Sequence, residues 1–163
     1  MPSHEPASIR LGATMRGGLA PSIYALIERG VLKRPDQAGA VRGRVQLRFR
    51  DEYPPVAMVF SADGIEVFDG EAGRTNLTVT AGLADIVLLT TAPLRMGMPS
   101  PANARGRAVL QKMARGQIRL SGDLGLARAM LTLMRIDVPE ARFAKPPKAA
   151  PSGAPDAWID VLT

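Results

Sequence analysis

The chain has 163 residues, which is enough for one domain with a substantial apolar core. Hydrophobic residues make up 46% of it and aromatic residues only 4%, so the core must consist of aliphatic side chains and methionines. The absence of cysteine excludes disulfides and thiolate metal sites, and apolar runs such as Ile86 to Leu89 are too short to span a membrane.

The net charge is +6, and it is unevenly distributed. Residues 1–50 carry nine basic and three acidic groups, residues 51–90 carry one and seven, and residues 91–163 carry eleven and five. A basic surface of this kind attracts nucleic acid, an anionic membrane or an acidic partner, although an ordinary solvated surface explains it more simply.

The N-terminal part of the chain predicts helices. Ile9 to Leu19 has weak helical periodicity, and a clearer helix begins at Pro21 and ends at Gly30. Its apolar face consists of Ile23, Leu26 and Ile27. Lys33 to Ala40 is expected to be a polar connection into the next element.

Three consecutive antiparallel strands are predicted between Val41 and Phe68. The first has one dry and one wet face, because Val45, Leu47 and Phe49 alternate with arginines and Gln46. The second covers Val56 to Ser61, Asp63-Gly64 forms a tight turn, and the third covers Ile65 to Phe68.

The second half of the chain alternates strands and helices. A strand is predicted over Arg74 to Thr80, and a helix over Leu83 to Ala92 that Pro93 ends. The loop from Leu94 to Ala104 contains Met96 and Met98, which either cover a pocket or pack onto the domain.

The last three predicted elements are a basic amphipathic helix, a fifth strand and an apolar helix. They cover Gly106 to Arg115, Gln117 to Leu120, and Leu124 to Met134, with Asp123 at the N-terminal end of the last. This helix is apolar around nearly its whole circumference, so it must be buried or lie against an apolar partner.

The composition changes after residue 137. Residues 1–137 are predicted to form the domain, and residues 138–163 a flexible tail rich in proline and alanine. The tail ends in an apolar hook around Trp158, which is expected to dock on the domain or to bind a protein partner.

The four arginines of the first strand could contact nucleic acid. They are Arg42, Arg44, Arg48 and Arg50. However, no aromatic residue shares their face to stack on bases, as binders of single strands usually require. A solvated strand face, partly neutralised by acids such as Glu66, is the favoured interpretation, and no nucleic-acid partner is expected.

No group of residues in the sequence suggests catalysis. No nucleophile stands beside a base, the only histidine is His4 in the N-terminal segment, and metal ligands are not clustered. Asp63, Asp69 and Asp123 each adjoin a glycine, which favours turn or cap roles over general-base chemistry. We therefore expect no enzyme activity, no cofactor and no metal.

The order of the elements resembles one known family. The segments that carry the resemblance are GRVQLRF, VAMVFSADGIEVFDG, TNLTVTAGLADIVLL and GQIRLSGDLGLARAMLTLM. Over residues 20–136 their order is similar to that of the sterol carrier protein type 2 family. The best local match is Gly116 to Leu133, and the second is Thr78 to Leu89, where Asp85 leads into a helix.

The resemblance implies an α+β fold, in which a five-stranded, mainly antiparallel sheet carries helices on one face. It also implies a hydrophobic tunnel between the two layers for acyl chains, sterols or isoprenoids. The apolar periodicity gives a candidate lining: Phe49, Met58, Phe60, Val67, Val79, Ile86, Leu89, Met113, Met130, Leu133 and Met134. Any core would contain such residues, so fewer than half are expected to touch a ligand.

Two functions follow from the resemblance. The first is non-catalytic binding or transfer of a fatty acyl lipid or an isoprenoid, with a basic rim that approaches an anionic membrane surface. The alternative is an accessory module that presents lipid or quinone intermediates to partner enzymes. The ending Val161-Leu162-Thr163 is not a peroxisomal signal, and no apolar leader is visible, so a bacterial, cytoplasmic protein is expected.

Overall fold

A computed structural model describes residues 7–136, which form eight strands and five helices. The helices are α1 (Ala20–Lys33), α2 (Pro35–Ala40), α3 (Leu83–Thr91), α4 (Ala104–Ala114) and α5 (Leu124–Met134). The strands are β1 (Ile9–Leu11), β2 (Gly43–Phe49), β3 (Val56–Ser61), β4 (Gly64–Asp69), β5 (Leu77–Ala81), β6 (Leu94–Arg95), β7 (Met98–Pro99) and β8 (Arg119–Gly122). His4 and the predicted tail, with its hook at Trp158, lie outside the described residues.

Six strands form one mixed sheet in the order β1-β4-β3-β2-β5-β8. The antiparallel pairs β2–β3 and β3–β4 agree with the prediction, and β5–β8 is antiparallel as well. However, β5 is parallel to β2, and β1 is parallel to β4. The α+β class is confirmed, but the prediction of a five-stranded, mainly antiparallel sheet was wrong.

The sixth strand comes from the segment for which a helix was predicted. The Ile65 N–H donates to the Ser8 carbonyl, and the Gly12 N–H donates to the Val67 carbonyl, each at 2.7 Å. Glycines within Ile9 to Leu19 make a helix unfavourable there, whereas pairing with β4 satisfies the backbone groups. Weak periodicity over so short a stretch does not distinguish the two outcomes.

The parallel position of β5 results from a crossover that residues 70–76 make over the open face of the sheet. The side chain of Gln46 in β2 holds this segment through hydrogen bonds. Its amide nitrogen donates to the Val56 carbonyl at 3.1 Å and to the Gly70 carbonyl at 3.0 Å, and its oxygen accepts from the Ala72 N–H at 2.7 Å. The prediction placed Gln46 on a wet face, but the crossover covers its side chain, which is 1% exposed.

Arginines on the same face of the sheet as Gln46 form hydrogen bonds to the crossover and to segments near the ends of the strands. Arg44 donates to the Ala72 carbonyl at 3.2 Å, and Arg48 makes two hydrogen bonds to Glu71, at 2.9 and 2.7 Å. Arg42 donates to backbone carbonyls of its own connection, and Arg50 to the turn between α4 and β8. Glu66, which was expected to neutralise this face, instead pairs with Arg10 at 2.7 Å.

Carboxylates position α1 and α5 on the opposite face of the sheet. Asp69 of β4 is 3% exposed and accepts from the N–H groups of Met15, at 2.8 Å, and Ala20, at 3.1 Å. Asp123 accepts from the N–H groups of Gly125 and Leu126 at the start of α5. Both residues therefore have the predicted cap or turn role.

Several predicted connections and boundaries differ from the structure, among them the fourth and fifth predicted strands, which are observed as β5 and β8. The polar connection before β2 contains a short helix, α2, which begins with Pro35. The loop from Leu94 to Ala104 contains the β6–β7 hairpin. Gly30 does not end α1, which continues to Lys33, and a Cβ at Gly30 would lie 2.0 Å from the Leu133 carbonyl oxygen of α5. This glycine allows the two helices to approach closely.

Gln46→Ala should destabilise the fold by about 2–4 kcal/mol, because it leaves buried backbone groups of Val56, Gly70 and Ala72 without a partner. Urea unfolding followed by circular dichroism measures this loss. The matched control is Gln37→Ala in the exposed part of α2, which should change stability by less than about 0.5 kcal/mol. Equal stability of the two variants would show that Gln46 does not hold the crossover.

Candidate functional site

The predicted lining residues lie in one apolar layer between the sheet and the helices. The buried members on strands are Met58, Phe60, Val67 and Val79. Those on helices are Ile86, Leu89, Met130, Leu133 and Met134. Phe49 and Met113 pack against this layer but are only half-buried. The residues chosen from the sequence thus come together in space, while their contact with a ligand stays a prediction.

The strand register shows which side chains face the helices. Met58 lies opposite Val45 on one side and Val67 on the other, and Val79 lies opposite Leu47. Because opposite residues share a face, all of these point to the side on which Asp69 meets α1. The sequence alone could not orient β3 and β4, because both faces of these strands carry apolar residues.

Among the predicted lining residues, the two half-buried side chains are those that solvent reaches, so the predicted tunnel would open beside them. Phe49 is the last residue of β2, and Met113 lies in the last turn of α4. Arg50 connects the two regions: its guanidinium donates to the Gln117 carbonyl at 3.0 Å and to the Gly116 carbonyl. We call Phe49, Tyr53 and Met113 the mouth residues.

Tyr53 is a mouth residue that the sequence reasoning missed. Its ring lies edge-on to Phe49, with centroids 6.0 Å apart and planes at 72°. The side chain is 38% exposed, so it covers Phe49 only from one side. The signal for it was weak, because a tyrosine before two prolines is typical of a turn.

α3 and α4 form the wall next to the mouth residues. Lys112 of α4 forms an ion pair with Asp85 of α3 at 2.8 Å, and the Asp51 carboxylate accepts from the first N–H of α3 at 2.7 Å. These contacts fix both helices to the end of the sheet that carries Phe49. They also account for Asp85, which the sequence placed at a strand-to-helix junction.

Three of the surface clefts among the described residues lie outside the predicted lining. Two border the β3–β4 turn, with volumes of 160 and 270 Å³, and a third of 250 Å³ lies between α2 and α5. None of the predicted lining residues belongs to them. All are smaller than the roughly 300–1,000 Å³ of typical ligand pockets, so the predicted tunnel is not confirmed by these clefts.

The carboxylates Asp69 and Asp123 have structural partners, because both accept hydrogen bonds from backbone N–H groups. Residues 7–136 contain no cluster of three or more acidic or histidine side chains that could hold a metal. The pKa of Tyr24 is raised, first by its hydrogen bond to Glu28 and then by desolvation.

No helix within residues 7–136 is both long and apolar enough to cross a membrane. The apolar all-round pattern of α5 has another explanation, because Leu126, Met130 and Leu133 are buried against the sheet and α1. This confirms the alternative in which the helix is buried within the domain.

Solved structures resemble this fold. The sec-alkylsulfatase Pisa1 from Pseudomonas sp. has a TM-score of 0.53 and 15% identity over 74% of this chain, which spans only 17% of that longer protein. A UbiJ-SCP2 ubiquinone synthesis protein matches 71% of this chain and 89% of its own, with 15% identity and a TM-score of 0.48. The sterol carrier protein domain 2 of Helicoverpa armigera matches 74% and 91%, with 19% identity and a TM-score of 0.48.

The TM-score of 0.53 shows that this chain shares its overall α+β fold with a part of Pisa1. Sterol carrier protein type 2 domains are among the solved structures that the fold resembles, in agreement with the resemblance that the order of the elements indicated. At such identities the likeness concerns the fold alone. No family model and no curated protein matches the sequence.

Gly30→Ala should separate α1 from α5, because the added methyl group would overlap the Leu133 backbone. We expect a loss of about 1–3 kcal/mol in thermal or urea unfolding, which is the typical range for an overpacked core. Gly39→Ala in α2 is the matched control, since a Cβ there meets no atom within 4 Å. If both variants are equally stable, the helices can separate without cost.

Proposed function

We propose that this chain binds a hydrophobic ligand of the fatty acyl or isoprenoid class between its sheet and its helices, and that it performs no reaction on it. The observation that carries the proposal is the continuous apolar layer, which is buried everywhere in the predicted set except at Phe49 and Met113. A ligand that enters there would extend the layer without exposing new polar groups.

The apolar layer can accommodate a ligand because of its composition. It contains Met58, Met130 and Met134 in its interior and Met113 at the mouth. Methionine side chains are unbranched and change shape at little cost, so they can move aside for an acyl chain. Burial of ~10 methylene groups contributes on the order of 8 kcal/mol before the costs of ordering the ligand, which is sufficient for retention.

The protein would take such a ligand from a membrane, because the hydrophobic effect that favours burial of an acyl chain in the protein also keeps free acyl chains out of water. A net charge of +6 supports exchange at an anionic membrane surface, where basic proteins accumulate.

The alternative function is an accessory module that presents a lipid or quinone intermediate to partner enzymes. The sequence supports this alternative, because the apolar Trp158 follows a proline-rich segment that could tether it to the domain. Deletion of residues 139–163 distinguishes the two functions. Transfer alone predicts unchanged ligand retention and no lost partner, whereas presentation predicts loss of a partner with the ligand retained.

Met113→Glu should reduce ligand retention roughly tenfold or more, because a carboxylate at the mouth would be desolvated by the acyl chain. Native mass spectrometry of the purified chain, loaded with a panel of fatty acids and isoprenoid quinones, measures retention. Met113 is half-buried, so the variant should fold. Met130→Glu is a poorer test, since Met130 is 2% exposed and the change would unfold the core.

Met15→Glu is the control for this experiment, because Met15 is 51% exposed and does not belong to the apolar layer. It should leave ligand retention unchanged. If the wild-type chain gives only an apo mass and takes up nothing from the panel, the apolar layer is a solid core and the proposal fails.

A further inference from the structure

The turn between β6 and β7 carries the most exposed large apolar side chain of the described residues. Met96 is 90% exposed and forms, with Gly97, a two-residue hairpin loop. Both residues have positive φ, 54° and 79°, as in a type I′ turn. Such turns favour Asn, Asp or Gly, so Met96 is unfavourable both for the backbone and for solvation. Features of this kind concentrate at functional positions.

The rest of the structure holds the hairpin rigidly. The Ser100 N–H donates to the Pro93 carbonyl at 2.9 Å, which closes the base of the hairpin. Gly106 of α4 lies so close to Ser100 that a Cβ would overlap its carbonyl oxygen. Gly97 packs on Arg128 of α5, where a Cβ would lie 3.1 Å from the Arg128 Cβ. The Met96 side chain therefore projects from a fixed support.

Cations and a second apolar side chain surround Met96. Arg95 precedes it in β6 and is exposed, as is Arg128 beneath Gly97. Leu124, 54% exposed, lies one helical turn before Arg128 on the same side of α5. Within residues 7–136, neither guanidinium forms an ion pair. We call Met96, Leu124, Arg95 and Arg128 the hairpin surface.

We propose that the hairpin surface docks on an anionic membrane, with Met96 inserted among the lipid chains and Arg95 and Arg128 against the lipid phosphates. Met96 lies at the tip of a hairpin. A protein partner would need a pocket for this side chain, whereas the deformable interior of a bilayer needs none. The pairing of an apolar residue with flanking cations matches an interface that is apolar inside and anionic outside. This docking rests on the membrane exchange of the proposed function and names the surface that performs it, although the docking itself needs no bound ligand.

Sedimentation of the full chain with sucrose-loaded vesicles tests the proposal. Wild type should bind vesicles of phosphatidylcholine mixed with phosphatidylserine, and bind pure phosphatidylcholine vesicles much less. Met96→Asn should weaken binding about tenfold through the lost apolar burial. Joint replacement of Arg95 and Arg128 by Gln should weaken it by a similar factor and reduce its salt dependence. Because Asn suits positive φ, Met96→Asn should not lower the melting temperature.

Matched controls separate this surface from the rest of the molecule. Met15→Asn removes an equally apolar side chain elsewhere, and joint replacement of Arg115 and Arg119 by Gln removes the same charge at the α4–β8 turn. Both should change vesicle binding less than about twofold. Equal binding by Met96→Asn and wild type, or equal effects of the two arginine pairs, would overturn the proposal. So would a dimer that Met96→Asn dissociates, since the hairpin surface would then join two copies of the chain.

A solution assay distinguishes this proposal from the previous one. Met96→Asn should retain fatty acid in native mass spectrometry as wild type does, because Met96 is 90% exposed and does not belong to the apolar layer. Loss of vesicle binding with retained ligand supports docking. A chain that binds vesicles but no lipid ligand would contradict only the proposed function.

Discussion

The buried amide of Gln46 is the interaction on which the arrangement of the sheet depends. Through three backbone partners it fixes the segment that leads from β4 to β5 across the open face. That path places β5 beside β2 in parallel orientation, and α3 and α5 then follow from its position. A single polar side chain thus links the antiparallel hairpins of the first half to the helices of the second. Arg44 and Arg48 also bind the crossover, through the Ala72 carbonyl and the Glu71 carboxylate. These contacts within the chain explain why one face of the sheet carries several cations.

Two sets of contacts enclose the apolar layer: those of α1 and α5, and those of α3 and α4. Asp69 anchors the start of α1 to the sheet, and Gly30 lets α1 approach α5 until their backbones meet. α1 and α5 therefore cover the layer on the helix side of the sheet. Arg50 and the pair Asp85–Lys112 hold the segments beside the end of β2, where Phe49 and Met113 are half-buried. The predicted lining is therefore least covered at these two residues.

Local patterns predicted much of this architecture. The alternation in β2, the Asp63 turn and the apolar circumference of α5 depend on neighbouring residues, and they were right. Parallel pairing was not predictable, because nothing near Ile9 or Leu77 shows which distant strand lies beside it. Gln46 looked solvent-exposed for the same reason: the segment that buries it is 24 to 26 residues away. The apolar residues of the candidate site could be chosen from periodicity, but Tyr53 depends on a ring contact that only the fold reveals.

The short strand β1 has a consequence for how the molecule opens. It joins the edge of β4 through residues 56 positions apart, whereas the β3–β4 hairpin forms between neighbours in the chain. Contacts that close so long a loop form late and are released early, and β1 has only three residues to resist release. Amide hydrogens of β4 that face β1 should then exchange with solvent before those that face β3. In the opened state, the bare edge of β4 would be free to pair with the edge of another molecule, so this small N-terminal strand protects the protein from edge-to-edge aggregation.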